Sequence, residues 1–338
     1  MASEKFRLGI DLGTANMIVY MEKKGIIFNE PSIIAFDRDS GRVVAAGTEA
    51  QKMLGKTHEK IILIRPLRNG VIGDMHAARE LLKYVFGKVE AMTERQLSNT
   101  VAVVCCPSEV TKIERDTIIE LIKSMNIKDV FVEEEIKAGA MGAGLDIFMS
   151  RGAMIVDMGG GTTDVGVLSF GDIVLSRTIR KSGDYINTEI GKFVKKKYKV
   201  EIGEITSELA KIELSDLRTN ATPISNRYAG RDIVLGIPKY VDISSEDVKD
   251  IIVPVYEEIV KLISSVFKET SPELSADIYS NGILLAGGGA LVKGVDEFIS
   301  HRLNVPVKVC RNVLTCVAEG AKFLLKNRGD YLVNPLQL

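Results

Sequence analysis

Two short segments of this 338-residue chain place an aspartate at the end of an apolar run, with glycine and threonine close behind it. The first is Asp11-Leu12-Gly13-Thr14, and the second is Asp157-Met158-Gly159-Gly160-Gly161-Thr162-Thr163. Glycine lets the main chain turn sharply and brings backbone N–H donors close to an anion without a Cβ in the way. A carboxylate at a strand end can hold Mg²⁺, mostly through waters, because Mg²⁺ gives up its hydration reluctantly. The chemistry that suits this combination is the grip on a metal-bound phosphate chain. Either corner alone could be an ordinary β-turn. Three successive glycines weaken a strand turn unless something requires them. A third cluster, Gly287-Gly288-Gly289, follows the apolar run 282–286 and precedes Ala290. It would let a flat base or ribose lie against the backbone, although a Gly-rich strand-to-helix turn is a weak signal by itself. The three clusters together argue against a set of unrelated turns. No G-x-x-x-x-G-K-[ST] loop occurs, and no G-x-G-x-x-G opens the first strand, so neither a Walker loop nor a dinucleotide fingerprint is present.

These corners need strands to carry them. Residues 6–11 and 17–20 predict a hairpin around the first corner, with a further extended segment over 26–35 broken by Pro31. Residues 153–158 and 164–169 predict a second hairpin around the second corner. The recurrence of apolar strand, Asp, Gly, Thr and apolar strand is an internal repeat, with its second copy opening near residue 153. It implies two related α/β halves. Apolar residues at helical spacing predict helices over 76–90, 109–125 and 246–268, with a last helix over 315–326 behind Thr315 as its N-cap. Buried-type strands are expected at 100–106 and 282–286, and a short strand at 129–132. Residues 215–246 are polar and strand-prone and suggest an insertion. Residues 195–199 are a small basic run, of the kind that a solvated helix face carries.

Lys and Arg number 44 against 45 Asp and Glu, a net charge of −1, which excludes a general attraction to nucleic acid or anionic lipid and leaves only local patches. No apolar run approaches the roughly 20 residues that span a bilayer, and the first residues lack a signal-peptide core. The four cysteines form no CxxC pair and read as buried thiols in a reducing, cytoplasmic setting.

The stretches Gly9-Ile10-Asp11-Leu12-Gly13-Thr14-Ala15-Asn16, Asp157 to Asp164 and Gly282 to Gly289 resemble, in that order, the two phosphate loops and the adenosine loop of the actin, Hsp70 and sugar-kinase superfamily. The resemblance is nearer to the MreB bacterial actins. Asn29-Glu30-Pro31-Ser32, Gly55-Lys56-Thr57, residues 64–72 and Leu314 to Ala321 carry it, and it runs over essentially the whole chain. It implies an α/β, actin-like (ribonuclease H-like, duplicated) two-lobed ATPase fold with an inserted subdomain in each lobe. Residues 1–150 would form lobe I, with an insert at about 33–72 and completion by 320–338. Residues 151–319 would form lobe II, with an insert at about 184–246.

The resemblance further implies ATP or ADP with Mg²⁺ in a cleft, hydrolysis coupled to polymerisation, paired homopolymeric filaments at the inner face of the cell membrane, and a role in cell shape. Asp11 and Asp157 would organise Mg²⁺ through water. Gly13, Thr14, Ala15, Asn16, Gly159, Gly160, Gly161, Thr162 and Thr163 would hold phosphate. Gly287, Gly288, Gly289 and Ala290 would hold the adenosine, with Glu208 and Lys211 near the base. Glu208 and Lys211 can equally be a surface ion pair. Glu135, with Thr162 as partner, would orient the attacking water, and Glu134 is the runner-up. Residues 133–135 can also be an acidic helix start favoured by the helix dipole. Ile136 stands where the family usually has proline, and Lys137 where an apolar residue is usual, which bears on the aim of Glu135.

Three other functions share parts of this pattern. A small-molecule kinase would need a catalytic Asp and a sugar pocket, which nothing marks. An Hsp70-like chaperone would need a peptide-binding domain after the ATPase. A plasmid- or organelle-positioning actin shares every motif, and only segments 29–32 and 64–72 argue against it. For membrane contact, residues 1–7 are too short for an amphipathic helix. Residues 91–99 offer Met92 and Leu97, and the C-terminal Tyr331, Leu332, Val333, Leu336 and Leu338 are an alternative to a frayed terminus.

Overall fold

The computed structural model describes residues 6–68, 70–94 and 96–330, with side chains through Leu325. The chain divides into two compact units. One comprises residues up to Arg151, Leu168–Ser176 and the segment from Leu314 onward; the other comprises Gly152–Val167 and Arg177–Val313.

The first unit opens with β1 (Phe6–Leu12), β2 (Asn16–Met21) and β3 (Gly25–Pro31), then β4 (Ile34–Asp37), β5 (Val43–Ala46), α1 (Gly47–Lys52) and β6 (Ile61–Ile64). A two-residue ladder of β7 (Leu67–Arg68) and β8 (Val71–Ile72) leads to α2 (Met75–Thr93). Then come β9 (Thr100–Cys106), α3 (Lys112–Lys123), β10 (Asp129–Glu134) and α4 (Glu135–Gly142). In the second part of the chain β11 (Ala153–Met158), β12 (Thr163–Ser169) and β13 (Asp172–Ile179) are followed by α5 (Gly183–Tyr198), β14 (Val200–Glu201) and α6 (Glu204–Leu214). Next are β15 (Ser225–Asp232), β16 (Pro238–Ser244), α7 (Ser245–Glu269), α8 (Pro272–Asn281), β17 (Ile283–Ala286), a 3₁₀ turn (Gly288–Leu291), α9 (Val295–Leu303) and β18 (Val307–Val309). The last helix, α10 (Cys316–Asp330), belongs to the first unit.

The repeat seen in the sequence is a repeat in topology. One five-stranded sheet has the order β10-β9-β1-β2-β3 and the other β18-β17-β11-β12-β13. In each, three consecutive strands lie side by side, and the next two add in parallel beside the first of them. Each Asp corner therefore joins the first and second strands of its sheet. β9 is buried along nearly its whole length because a parallel strand is covered on both faces, which is why it reads as an unbroken apolar run. The apolar stripe predicted for the first long helix is buried as Ala77, Leu81, Leu82, Val85 and Val89 of α2.

Caps set the helix ends. α3 starts at Lys112 rather than 109 because Thr111 and Glu114 form a reciprocal capping box. Ser244 and Asp247 do the same for α7, which continues through Pro254. Two small sheets, β5-β4-β6 and β14-β15-β16, fall within residues 33–72 and 184–246, the segments expected as inserts. α5 carries apolar residues at helical spacing, Ile186, Ile190 and Val194, and buries all three. Of the residues considered for membrane contact, Met92 is exposed within α2, Leu97 is buried, and Tyr331, Leu332, Val333, Leu336 and Leu338 lie outside the described residues. No described helix is long and apolar enough to cross a membrane.

Candidate functional site

In the first unit, Asp11 lies one residue before the end of β1, paired with Ile18 of β2 and, in parallel, with Cys105 of β9. Gly13 is needed by close approach: a Cβ there would lie 2.5 Å from the Asn16 carbonyl oxygen. The turn is held from behind. Ser32 Oγ donates to the Gly13 carbonyl at 2.7 Å, and the Ser32 N–H donates to Ala15 O at 2.9 Å. Asn16 Nδ2 donates to Asn29 Oδ1 at 2.8 Å. The buried Thr14 accepts the Gly70 N–H at 3.1 Å through its hydroxyl oxygen, leaving its O–H free in direction. Ala15 and Asn16 are exposed at the turn. Segments 29–32 and 64–72, singled out earlier by resemblance, thus supply buttresses to the corner; Asn69 lies outside the described residues.

Glu30 belongs to the same buttress. Burial alone would raise its pKa, but bonds from Lys88, the Thr48 N–H and Tyr84 outweigh this and hold it below the usual value.

Asp11 keeps a little contact with solvent but is packed deeply among protein atoms. This desolvation pushes its carboxyl up from 3.8 to about 7. Across the sheet, burial raises the Cys105 thiol well above its usual value, and the negative charges of Asp11 and Glu135 raise it further. Both carboxylates are therefore within electrostatic reach of one buried thiol. Glu133 and Glu134 end β10, opposite Cys105 and Cys106. Only Glu135 enters the helix, as the first residue of α4 with Glu134 at its N-cap, so the acidic triplet spans a strand end and a helix start. Glu134 Oε2 is buried with no hydrogen-bond partner among the described residues, a group that a bound water or ligand atom would satisfy. Ile136, at the position where the family usually has proline, is fully buried, and Lys137 pairs with Asp172 at 3.0 Å.

In the second unit, Asp157 pairs with Ala286 of β17. The turn after it is closed by the Gly159 N–H donating to Thr162 O at 2.9 Å. Thr162 and Thr163 are buried, Gly161 is buried, and Gly159 and Gly160 are half-buried. The third glycine cluster lies directly against this corner. A Cβ on Gly287 would lie 2.4 Å from Asp157 Oδ1, and one on Gly289 would lie 2.7 Å from Met158 Cβ. The Ala290 N–H closes the 3₁₀ turn on Gly287 O at 3.0 Å, with Gly288 exposed at its apex.

Lys211 also comes to this corner. Its Nζ donates to Gly183 O at 3.3 Å, and Gly183 in turn packs on Gly159 and Gly160. Burial lowers the Lys211 pKa, while the carboxylates of Glu208 and Asp184 oppose the shift. Glu208 and Lys211 are thus electrostatic neighbours, with the amine turned to the β13–α5 junction rather than to open solvent.

Three residues of this corner escaped the sequence reading. Ser182 Oγ bonds the Gly159 carbonyl, and the Asp184 N–H donates to Gly160 O at 2.8 Å. The fully buried Tyr256 donates from its hydroxyl to Gly289 O at 2.7 Å, and burial raises its pKa. The only signal for Ser182 and Asp184 was a Ser-Gly-Asp helix entry, and for Tyr256 an aromatic on the apolar side of a long helix. Tyr256→Phe is expected to leave the Gly289 carbonyl without its bond and to cost about 1–3 kcal/mol, read as a lower urea midpoint. An unchanged midpoint would show that water replaces the hydroxyl.

Each corner, taken by itself, fits a metal-bound phosphate chain. In the first unit the desolvated Asp11 carboxyl would be stabilised as the anion by a nearby cation, and Glu134 Oε2 has no hydrogen-bond partner among the described residues; in the second, Gly287 and Gly289 lie so close to Asp157 and Met158 that neither position admits a Cβ. Among the described residues no group of three or more His, Cys, Asp or Glu is placed to hold a metal ion.

Two copies of one sheet topology, each bent at an Asp-Gly corner, define the actin-like fold. It superposes on the MamK double helical filament subunit with a TM-score of 0.81 at 22% identity, over 96% of this chain and 99% of that one. Agreement is nearer with MreB5 of Spiroplasma citri bound to AMPPNP: TM-score 0.93, 37% identity, 98% of each chain. The family model described as MreB/Mbl protein matches residues 5–332. The cell shape-determining protein Mbl of Bacillus subtilis is 41% identical over 320 residues, 95% of this chain and 96% of that protein. The cell shape-determining protein MreB of Escherichia coli is 35% identical over 317 residues, 93% of this chain and 91% of that one. This chain belongs to the MreB/Mbl family.

Proposed function

We propose that this chain binds ATP with Mg²⁺, hydrolyses it, and assembles with copies of itself into filaments that determine cell shape at the inner face of the membrane. The observation that carries the reading is the matched pair of buttressed Asp-Gly corners, one in each repeat, at the same place in the same topology. Relatives named for cell-shape determination, and solved neighbours bound to ADP and to AMPPNP, support it.

In this reading Asp11 and Asp157 hold water-ligated Mg²⁺, which would supply neutralisation of phosphate charge. The turn N–H groups and hydroxyls of residues 13–16 and 159–163 bind the phosphate oxygens. Gly287 to Ala290, with Glu208 and Lys211, receive the adenosine. Glu135 accepts a proton from water as its oxygen bonds to the γ-phosphorus and the bond to the ADP oxygen breaks; Thr162 helps to place that water. Positioning and charge neutralisation carry most of the rate.

Two variants separate binding from chemistry. Asp157→Ala is expected to abolish measurable ATP affinity in a titration. Glu135→Ala is expected to retain binding while phosphate release slows about 10²-fold or more. Normal turnover in the Glu135 variant would remove it from the mechanism. Failure of the wild-type chain to pellet on ultracentrifugation with ATP would remove the filament.

A further inference from the structure

α5 begins behind a serine that does not cap it. A serine at an N-cap normally turns its oxygen onto an N–H of the first turn. Ser182 stands at the N-cap of α5 and is buried, yet its side chain accepts no such bond. The hydroxyl is used on the second glycine corner instead, where it donates to the Gly159 carbonyl. Its oxygen accepts from the buried Thr163 hydroxyl at 3.4 Å. A hydroxyl has one proton to give, and this arrangement leaves it for Gly159.

The first two N–H groups of α5, which a helix leaves without intrahelical partners, go the same way. The Gly183 N–H donates to Gly159 O at 3.3 Å, and the Asp184 N–H donates to Gly160 O at 2.8 Å. The Gly183 bond is long, so the close bond on the Gly159 carbonyl is the one from Ser182. Gly183 is itself held between Lys211 and the corner: a Cβ there would lie 3.3 Å from Lys211 Nζ and 3.5 Å from Gly160 Cα.

These bonds decide what the corner shows on its other side. The described residues contain no cis peptide, and in a trans peptide the C=O and the N–H point in opposite directions. The carbonyls of Gly159 and Gly160 face the start of α5. The N–H groups of Gly160 and Gly161 share those two peptide planes and therefore face away from it.

Neither of these N–H groups meets an acceptor among the described residues, although Gly161 is buried. A buried backbone donor left unpaired is rare and costly. Consecutive N–H groups turned to one side make a concavity that takes an anion.

We propose that Ser182 is a positioning residue for the phosphate chain. Its hydroxyl fixes the peptide between Gly159 and Gly160, and so holds the Gly160 and Gly161 N–H groups toward the phosphate oxygens before nucleotide arrives. Donors held in place beforehand need no reorganisation on binding. The proposal rests on the nucleotide part of the reading above and not on its filament or membrane parts.

Two measurements test it. In the wild-type chain with isotope-labelled glycine amides, the Gly160 and Gly161 amide proton resonances are expected to move downfield when Mg²⁺ and AMPPNP are added. In calorimetric titrations Ser182→Ala should weaken ATP binding about tenfold and leave the affinity for adenosine, which has no phosphate, unchanged. If the wild type does not bind ATP, the nucleotide reading falls and this assignment with it. If it binds ATP and the two glycine amides stay in place, the aim given to them is wrong while the nucleotide reading stands. ATP binding by the alanine variant at wild-type strength would overturn the role of Ser182. So would an equal loss for ATP and adenosine, because a merely structural support would weaken both alike.

Discussion

Gly320→Ala is expected to destabilise the chain by about 3 kcal/mol or more, seen as a large fall in urea midpoint and in soluble yield. A Cβ on Gly320 would lie 1.7 Å from the Ala138 carbonyl oxygen, and one on Gly142 would lie 1.8 Å from the Cys316 carbonyl oxygen. At this crossing α4 and α10 meet backbone to backbone. Flexible side-chain ends can yield to a new methyl group; two helical carbonyls cannot without moving a whole helix. The helix that would move begins with Glu135, so the variant should also lose ATPase activity in whatever fraction remains folded. Gly87→Ala is the control. Gly87 lies on an exposed face of α2 with nothing within 4 Å of an added Cβ, and alanine there should stabilise by up to about 1 kcal/mol through helix propensity. Equal effects at the two sites would contradict the packing argument.

Asp11→Asn should separate stability from function in opposite directions. Burial raises the Asp11 carboxyl from 3.8 to about 7, so between those values the folded protein holds a proton that the unfolded chain has released. The contribution of neutral Asp11 is fully present below about pH 4 and is lost as pH rises through about 7. Asparagine removes that loss. The nucleotide-free variant is expected to gain of the order of 2 kcal/mol over wild type at pH 8 and to show little difference at pH 4. Mg²⁺-dependent ATP affinity should meanwhile fall at least tenfold, because an amide cannot neutralise the cation. Thermal unfolding across pH, with a parallel nucleotide titration, checks both halves. A variant less stable at pH 8 than wild type would mean that Asp11 is already compensated by a partner in the nucleotide-free state.

In the proposed function the wild-type carboxyl would thus trade stability of the nucleotide-free state for readiness to meet a cation. Glu134 Oε2, buried and without a partner, is a second such cost in the same unit. Such costs concentrate where a protein binds something.

The amino-acid sequence by itself determined the two Asp-Gly corners, the third glycine cluster, the internal repeat and the stripe of α2. Each depends on neighbours a few residues apart, and local spacing records that directly. Tertiary structure alone decided which distant groups complete the corners. Ser32 and Gly70 reach Gly13 and Thr14, Ser182 and Tyr256 hold the carbonyls of Gly159 and Gly289, and the amine of Lys211 meets the Gly183 carbonyl. It also decided that Glu133 and Glu134 finish a strand while Glu135 starts a helix, since a run of three glutamates has no period of its own. The difference is physical: turn chemistry is a property of consecutive dihedral angles, whereas a buttressing hydrogen bond across tens of residues exists only after the sheets have brought its two ends together.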